Sequence, residues 1–514
     1  MSKTIIIIGA GLAGLSAALQ AAENGCNVKL VSSLPSERAQ SVMAEGGINA
    51  ALNTKDENDS PEEHFTDTIK AACGLADPNA VWGMTQAAPE LVHWLLKLGV
   101  KFNMSGYDDV DLRNFGGQKK KRTAFAQSDT GKQIMTAMID AVRRKEASGM
   151  VERFSHHSFL TLRLCGNICC GCVIRDEYSQ ETVELPGDAV IVATGGMHGL
   201  FGNTTGSLSN TGEVTAELFR LGVPLANGEM IQYHPTTVKC GGKRMLISEA
   251  ARGEGGRLFA MKDGKQWYFM EEKYPELGNL MPRDITAREI WKVSHESEVF
   301  LDMTEISEEI ISNKLSGLAD DCMTYLHKDI RKEPVSVLPG IHYFMGGILV
   351  DEQHRTPIQN LCAAGECCAQ YHGANRLGGN SLLGALYGGR VAAKSACKQA
   401  DVVDLSCATQ IDFPPASQIS EIKQLNKVMQ ETMGVVRNEN TLLNGIQTVQ
   451  ALTGNLPLLG MAVLKSALAR KESRGAHWRE DYLKSNDDDY LKTTVARFDG
   501  KQIQISFVPV PERR

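Results

Sequence analysis

The chain has 514 residues, of which 42% are hydrophobic and 22% are charged, and its formal net charge is −7. This composition is typical of a globular protein of roughly two to four domains. The acidic balance excludes nucleic acid and anionic membrane surfaces as the main partners, so an anionic substrate would have to be held by locally placed Arg and His side chains.

The first predicted element is a strand, Thr4 to Ile8, which leads into a glycine-rich turn and then into an Ala- and Leu-rich helix that reaches about Asn24. This order of strand, turn and helix is the context in which a dinucleotide fingerprint binds a pyrophosphate. Glycines permit the tight turn, the close approach of the backbone and the packing of the helix. The candidate cofactor residues of this turn are Gly9, Gly11, Ala13 and Gly14.

A second strand, Val28 to Ser32, follows the helix. Ser32 stands where an acidic ribose ligand is expected in such a fold, which predicts a weaker ribose contact than usual. The N-terminal pattern therefore predicts a nucleotide site and leaves both NAD and FAD open as its ligand.

Membrane and secretion signals are absent from the sequence pattern. The apolar run Ile5 to Ile8 is too short for a signal peptide, and no apolar run reaches the roughly 18 residues that span a bilayer. The 13 scattered cysteines do not suggest a secreted disulfide framework. We therefore expect a cytoplasmic chain that is peripheral at the inner face of a membrane only through partner subunits.

A cysteine cluster and two runs of charged residues could be taken for functional sites, but a structural role is expected for each. Cys169, Cys170 and Cys172 lack the spacing of zinc or iron–sulfur ligands, so they are expected to be small strand residues and no metal site is predicted. The charge runs Lys119 to Arg122 and Asp487 to Asp489 are expected to be solvated loops.

Two later segments favour FAD. Asp188 to Val192 is a predicted buried strand that ends in small residues, and Ala193, Thr194 and Gly195 are candidate cofactor contacts there. Glu366 follows another apolar strand, where its carboxylate could accept a hydrogen bond from a ribose or ribitol hydroxyl, or could instead cap the helix that begins near Asn380. These segments predict a discontinuous FAD domain with an insertion.

The insertion, from about residue 230 to 347, holds the densest set of chemical groups. It contains Ile231-Gln232-Tyr233-His234-Pro235, Ser248-Glu249-Ala250-Ala251-Arg252-Gly253-Glu254-Gly255-Gly256, Pro282-Arg283-Asp284 and Ile341-His342-Tyr343-Phe344-Met345-Gly346-Gly347. Each island is bounded by glycine or proline, which favours a functional interpretation over four unrelated structural ones. After the insertion, Gln370 to Leu383 places Arg376 among glycines too small to screen it from an anionic ligand.

On these motifs the chain resembles the flavoprotein subunits of the fumarate reductase and succinate dehydrogenase family, which also includes L-aspartate oxidase. The resemblance runs from the first glycine motif to the terminal segment Lys471 to Tyr482. It implies an α/β fold: a discontinuous Rossmann-like FAD-binding domain (1–229 and 348–411), an inserted α+β capping domain (230–347) and a C-terminal helical domain with a terminal tail (412–514).

The resemblance also implies a role for each island. His234, Ser248, His342, Arg376 and Phe115 would contact the substrate, although Ser248 stands where the family usually has threonine. Arg283 would donate a proton to the substrate, fed by Glu249 and Arg252, while N5 of reduced FAD transfers a hydride to fumarate. Further cofactor contacts would come from Ala44, Gly46, Gly47, Ser381 and Leu382.

One departure from the family concerns the flavin link. Alignment on Ala44 to Gly47 places Gln40 where the membrane-bound members commonly carry a flavin-linked histidine. Since glutamine cannot form that bond, noncovalent FAD and a bias toward fumarate reduction are expected. The resemblance further implies an iron–sulfur partner subunit, because the sequence has no cluster motif of its own, and allows for a membrane anchor.

Three alternatives stay open. An L-aspartate oxidase is disfavoured because Phe115 stands where that enzyme places a glutamate for the substrate amine. A reductase of another unsaturated acid differs from the main hypothesis only in substrate. An assembly subunit with a vestigial site is disfavoured because the four cationic or imidazole positions, His234, Arg283, His342 and Arg376, are all intact.

Overall fold

A computed structural model describes residues 2–106, 109–399, 413 and 418–514 of the chain. At its centre lies a parallel sheet built from β1 (Thr4–Ile8), β2 (Asn27–Ser32), β6 (Val151–Ser155), β10 (Ala189–Val192) and β20 (Leu361–Ala363). Its strand order is β20-β10-β1-β2-β6. The sheet is covered on both faces, since Ile5 and Ile7 of β1 belong to one core cluster and Ile6 and Ile8 to another.

Helices cover one face of the parallel sheet. They are α1 (Leu12–Glu23), α3 (Pro78–Lys97), α4 (Thr130–Ala147) and α11 (Asn380–Gln399), and α2 (Pro61–Ala71) packs on α3. The starts of α2 and α3 follow from the sequence: each has proline at its first position, after Ser60 or Asp77, whose side chain accepts hydrogen bonds from the first turn.

The opposite face carries an antiparallel sheet of β7 (His157–Cys165), β8 (Ile168–Asp176) and β9 (Thr182–Pro186). Cys169, Cys170 and Cys172 are buried residues of β8, so their predicted strand role is confirmed. Among the described residues, no group of His, Cys, Asp and Glu side chains is arranged to hold a metal ion.

A three-stranded sheet, a five-stranded sheet and one helix complete the cofactor side. One sheet joins β3 (Ile48–Asn49), β5 (Thr123–Ala124) and β4 (Leu112–Arg113), and α5 is Glu213–Arg220. The other sheet has the order β21-β19-β11-β22-β23. Its strands are β11 (Leu225–Ala226), β19 (Gly347–Leu349), β21 (Cys368–Ala369), β22 (Lys492–Phe498) and β23 (Ile503–Pro509). The C-terminal hairpin is thereby bound to strands at either end of the predicted insertion.

The inserted segment forms two further antiparallel sheets. One is β12 (Ile231–Cys240), β13 (Lys243–Leu246) and β18 (Leu338–Phe344); the other is β14 (Arg257–Lys262), β15 (Lys265–Trp267), β16 (Val299–Asp302) and β17 (Val335–Ser336). Its helices are α6 (Glu249–Gly253), α7 (Phe269–Lys273), α8 (Arg283–Val293), α9 (Glu308–Lys314) and α10 (Ser316–Asp321).

Three helices and a short turn follow near the C-terminus: α12 (Ile419–Thr432), α13 (Glu439–Val449), α14 (Asn455–Ala469) and α15 (Asp487–Tyr490). The predicted α/β fold class, with parallel-sheet, capping and C-terminal parts, is confirmed. The numerical boundaries between the domains stay predictions, and the one at 411/412 falls outside the described residues. No helix in the described ranges is both long enough and apolar enough to cross a bilayer.

The predicted solvation of Lys119 to Arg122 is wrong at its last residue. Arg122 is fully buried and pairs with Asp59 at 2.8 Å and with Asp67 at 2.9 Å. A run of charge does not show which member has a buried partner, and these carboxylates lie more than fifty residues earlier in the chain. Asp487 to Asp489 are exposed, as expected, but they form the short helix α15 rather than a loop, and Asp487 pairs with Arg474.

Candidate active site

A cavity of about 560 Å³ extends from the turn after β1 to the start of α8. Nearly every predicted site residue lines it, including Gly9, Gly11, Ala13, Ser32, Ala44, Gly46, Gly47, Phe115, Ala193, Thr194, Gly195, His234, Ser248, Glu249, Arg283, His342, Glu366, Arg376, Ser381 and Leu382. Gly14 and Arg252 do not line the cavity; Gly14 packs on the Gly9 carbonyl and Arg252 lies beside Glu249, and Gly9 and Glu249 both line it. Positions from opposite ends of the sequence thus meet around one space.

The glycines at the turn after β1 are required for different structural reasons. A Cβ at Gly14 would lie 1.8 Å from the carbonyl oxygen of Gly9, and a Cβ at Gly9 would lie 2.3 Å from the carbonyl oxygen of Ala193. Both clashes are with backbone, so neither position accepts alanine without moving the turn. Gly11 is different, because its nearest protein neighbours would be 3.8 Å away and the free space faces the cavity.

This end of the cavity fits a dinucleotide. The start of α1 offers backbone N–H groups to an anion next to Gly11. At the end of β2, the Ser32 hydroxyl is buried, lines the cavity and has no hydrogen-bond partner within the protein. A ribose hydroxyl would satisfy it. The residues present are therefore suited to an FAD-sized ligand.

Glu366 lies along the same cavity but is engaged by the protein. Its Oε1 atom accepts a hydrogen bond from the backbone N–H of Phe344 at 3.0 Å and lies 3.7 Å from Nε2 of His198. Burial raises the pKa of Glu366 to about 7. The alternative that Glu366 caps α11 is not observed, because its contacts go to β18 and to the turn after β10.

At the other end of the cavity, Arg283 and Glu249 form a buried ion pair. The Glu249 Oε2 atom accepts from Nε of Arg283 at 2.7 Å and lies 2.6 Å from Nη2. Arg283 is the first residue of α8, which Pro282 precedes, and Glu249 is the first residue of α6. Two helix starts from one domain thus hold the guanidinium rigidly at the cavity wall.

Glu249 is shared with a second arginine. Its Oε1 atom accepts from the backbone N–H of Gly116 at 2.9 Å and lies 3.6 Å from Nη2 of Arg252. Burial alone would raise the pKa of Glu249, but Arg283 and Arg252 together hold it below its ordinary value. The three side chains form a continuous line from the cavity wall into the protein, with Arg252 in turn donating to the carbonyl of Asn279 at 2.7 Å.

Two histidines pack edge to face at this end of the cavity. The rings of His234 and His342 lie 5.1 Å apart. His342 contacts the Thr205 hydroxyl through Nδ1 at 2.8 Å, and His234 contacts the Thr236 carbonyl through Nδ1 at 3.1 Å. Burial and the nearby Arg283 lower the pKa of both imidazoles well below the ordinary value, so both are neutral. Nε2 of His234 is buried without a partner and can serve a ligand.

Arg376 completes the cationic wall. Its guanidinium lies over the ring of Tyr343 at 4.4 Å, its Nε is buried without a partner, and burial followed by the nearby Arg283 lowers its pKa. An anion bound between Arg376 and Arg283 would relieve this repulsion. The arrangement is suited to a substrate with two carboxylates: fixed cations and neutral imidazoles surround one small space.

Gln232 is a site residue that the sequence interpretation missed. Its Oε1 accepts from Nη1 of Arg283 at 3.2 Å, and its Nε2 donates to the carbonyl of Arg376 at 2.8 Å. It therefore ties the two key arginines together. A signal was present: Gln232 stands two residues before His234, and both lie on β12, where alternate residues share one face.

Two predicted substrate contacts have structural duties as well. The hydroxyl of Ser248 accepts from the N–H of Ala250 at 3.4 Å and so caps α6. The buried Phe115 ring packs on Gly46 and Gly378, where a Cβ would lie only 3.0 Å away. The ring thereby separates the loop Ala44–Gly47 from the loop that carries Arg376.

Gln40 lines the cavity, and its side chain is fixed. Its Oε1 accepts a hydrogen bond from the backbone N–H of Ser207 at 2.6 Å. An amide held in this way offers no ring nitrogen for a bond to a flavin methyl group.

Comparison with known proteins gives consistent results. The family model described as FAD binding domain matches residues 4–382, and the one described as fumarate reductase flavoprotein C-term matches residues 452–513. The succinate dehydrogenase flavoprotein subunit of Bacillus subtilis is 38% identical, with 100% of this chain and 98% of that protein covered. The 8-methylmenaquinol:fumarate reductase flavoprotein subunit of Wolinella succinogenes is 32% identical, covering 97% and 89%.

Solved structures agree. A mutant of the E. coli quinol fumarate reductase superposes with a TM-score of 0.90 at 27% identity, covering 99% of this chain and 97% of that one. Mycobacterium smegmatis Sdh1 in complex with UQ1 has a TM-score of 0.84 at 29% identity, covering 100% and 95%.

Proposed function

The chain belongs to the succinate dehydrogenase and fumarate reductase flavoprotein family, and from that premise we propose that this FAD-dependent oxidoreductase reduces fumarate to succinate, and reversibly oxidises succinate. The observation that carries the proposal is the buried line Arg283–Glu249–Arg252, which ends at the cavity wall beside His234, His342 and Arg376. These groups suit a reaction that binds two carboxylates and moves one proton.

Substrate binding uses the unpartnered polar atoms of the cavity. Nε of Arg376 and Nε2 of His234 are both buried and free to meet carboxylate oxygens, and His342, packed edge to face on His234, lines the same space. Because these groups are fixed by packing, they need no reorganisation when charge develops on the substrate. A carboxylate held against them is also turned relative to the double bond, which leaves the alkene more electrophilic.

Proton transfer is the task of Arg283. When bound, FAD supplies the hydride through N5. An arginine is ordinarily protonated at any accessible pH, so it can give up a proton only if the proton is replaced at once. Glu249, at 2.6 Å, is placed to replace it, and Arg252 is placed to restore Glu249. The dry, cationic surroundings lower the cost of a transiently neutral guanidine.

FAD attachment is proposed to be noncovalent, because Gln40 holds the position of the linking histidine and its amide is bound to Ser207. Acid denaturation of the FAD-loaded protein should release the flavin into the supernatant. Flavin fluorescence that stays with the washed precipitate would contradict this.

L-aspartate oxidation is not favoured, since the relatives from Bacillus subtilis, Wolinella succinogenes and Haemophilus influenzae are named as succinate dehydrogenase or fumarate reductase subunits and Phe115 offers no charge to an amine. Electrons are proposed to arrive from an iron–sulfur subunit, with a membrane anchor beyond it, so that the chain would sit at the cytoplasmic face of a membrane. The relatives from Bacillus subtilis and Wolinella succinogenes are named as flavoprotein subunits, which supports the proposal that this chain also works with partner subunits.

The test is oxidation of a reduced viologen dye by fumarate, without oxygen, catalysed by the purified FAD-loaded chain. Rapid dye oxidation with succinate as the product is expected. A folded, FAD-loaded chain that leaves the dye reduced with fumarate, yet oxidises it with another unsaturated acid, would redirect the assignment to that acid.

A further inference from the structure

Cys26 and Cys397 form a thiol pair that does not line the active-site cavity. Cys26 lies between α1 and β2, and Cys397 lies in the last turn of α11, 371 residues later in the chain. Their Sγ atoms are 3.0 Å apart, which is only about 1 Å longer than a disulfide bond. Folding therefore holds two thiols from distant parts of the sequence within reach of one covalent bond.

The thiol pair lies at the far end of two helices that present their first turns to the cavity. Leu12 of α1 and Ser381 of α11 both line its cofactor end. Between these starts and the thiol pair the two helices are in direct contact, since the Ser16 hydroxyl donates to the Leu386 carbonyl at 2.6 Å. A bond between the two thiols would therefore join α1 and α11 at the end opposite the cavity, with only a small movement of either helix.

The two thiols differ in their access to solvent. Cys26 is 5% exposed, whereas Cys397 is partly exposed. Burial, followed by contact with Cys26, raises the pKa of the Cys397 thiol, while the Asn24 side chain and the Lys3 ammonium act in the opposite direction. The buried Cys362 thiol of β20 is a further titratable group near Cys397. A dissolved oxidant therefore meets Cys397 first, and its thiolate, which is the reacting form, is scarce at neutral pH.

We propose that Cys26 and Cys397 are a redox-active dithiol that a small-molecule disulfide, such as oxidised glutathione, converts to an intramolecular disulfide joining the two cofactor helices. The Cys397 thiolate attacks one sulfur of the oxidant, whose S–S bond breaks, and the first glutathione leaves and takes up a proton. Cys26, 3.0 Å away, then loses its proton, attacks the Cys397 sulfur and releases the second glutathione. The two thiols lose two electrons and two protons, and the oxidant gains them.

This disulfide stabilises the part of the chain that forms the cofactor end of the cavity. A cross-link between positions 371 residues apart removes much of the conformational freedom of the unfolded chain. It also keeps α11 from separating from α1, and both helices begin at the cavity. The oxidised protein should therefore hold FAD to a higher temperature than the reduced protein.

The first experiment incubates the FAD-loaded protein with an excess of oxidised glutathione at about pH 8, where more of the thiol is ionised than at neutral pH, and then blocks the remaining thiols. Peptide mass mapping should find the Cys26 peptide joined to the Cys397 peptide without glutathione, while the flavin absorbance shows that the fold is kept. A glutathione adduct that persists on Cys397, or two free thiols after prolonged incubation, overturns the inference.

Serine variants test the order of the two steps. Cys26→Ser should keep a stable glutathione adduct on Cys397, because the second thiol is missing. Cys397→Ser should leave Cys26 unmodified, because Cys26 is buried. Cys73→Ser is the matched control, since Cys73 is partly exposed like Cys397, and it should form the same disulfide as the wild type. Loss of that disulfide in Cys73→Ser would show that the pair does not react on its own.

The second experiment follows flavin fluorescence while the protein is heated. FAD release from the oxidised wild type should occur a few degrees above its release from the same protein reduced with dithiothreitol, and the difference should vanish in Cys26→Ser. A release temperature that is unchanged or lower after oxidation overturns the joining of the two helices. Neither readout involves a substrate, so the fumarate assay tests the proposed function separately.

Discussion

Replacement of Arg283 by alanine is the sharpest perturbation of the proposed mechanism. The side chain makes two contacts with one carboxylate oxygen of Glu249, at 2.7 Å and 2.6 Å, and both partners are buried. The substitution removes the proposed proton donor and also leaves a buried carboxylate with only Arg252 at 3.6 Å and one backbone N–H. Its effects on turnover and on stability therefore have separate origins.

The expected magnitudes follow from these contacts. Loss of a positioned proton donor should lower kcat by about 10²- to 10⁴-fold. Loss of one member of a buried ion pair should cost about 3–5 kcal/mol of folding stability, because Glu249 is left without its main partner. Binding of FAD and of malonate should change much less than kcat, since Gly11, Ser32, His234 and Arg376 are all retained.

A double variant separates the two effects. In Arg283→Ala/Glu249→Gln no buried charge is stranded, so most of the lost stability should return while turnover stays low. Arg257→Ala is the matched control: Arg257 makes a similar double contact with Glu271, at 2.8 Å and 2.6 Å, but both side chains are well exposed. It should cost about 0–1 kcal/mol and leave kcat unchanged.

The assays are viologen oxidation by fumarate for kcat, and urea titration of the same preparations for stability. An Arg283→Ala protein that keeps its FAD and turns over within about tenfold of the wild type would refute the proton-donor role, given the size expected for such a group. Recovery of turnover in the double variant would refute it as well.

Three further outcomes are expected. Gly14→Ala should yield protein with little bound FAD, measured as flavin absorbance per protein, because its Cβ would lie 1.8 Å from the Gly9 carbonyl oxygen; full loading would contradict the packing argument. Arg122→Ala should lower the free energy of unfolding, measured by urea titration, by about 3–5 kcal/mol, because Arg122 is buried against two aspartates. Lys121→Ala should lower it by only about 0–1 kcal/mol, because Lys121 is exposed. Burial and the nearby Arg122 lower the pKa of His64 to about 3 from its ordinary 6.5. Between these two pH values His64 is protonated in the unfolded chain but not in the folded one. As the pH falls below 6.5, His64 should therefore lower the free energy of unfolding by about 1.4 kcal/mol per pH unit. His64→Gln should reduce that slope, and an unchanged slope would show that His64 is not the source.

The sequence alone determined the features that depend on local order. A strand of consecutive isoleucines followed by Gly9, Gly11 and Gly14 can be recognised as a cofactor turn because the order of strand, glycines and helix is itself local, and the packing of Gly14 on the Gly9 carbonyl is local as well. The ordered motifs also sufficed to assign the fold class and the family. His234, Arg283, His342 and Arg376 could be chosen because each stands in a glycine- or proline-bounded island.

Only the tertiary structure decided which of these groups meet and what state they are in. Glu249 contacts Arg283 across 34 residues, and Gln232 contacts Arg376 across 144. The neutrality of the two histidines comes from burial and from charges on other elements, which no local pattern encodes. Arg122 shows the same limit, since Lys119 to Lys121 of the same charge run are exposed or partly exposed while its own guanidinium is fully buried. Electrostatics depends on distance in space and on solvent access, and both are properties of the folded chain.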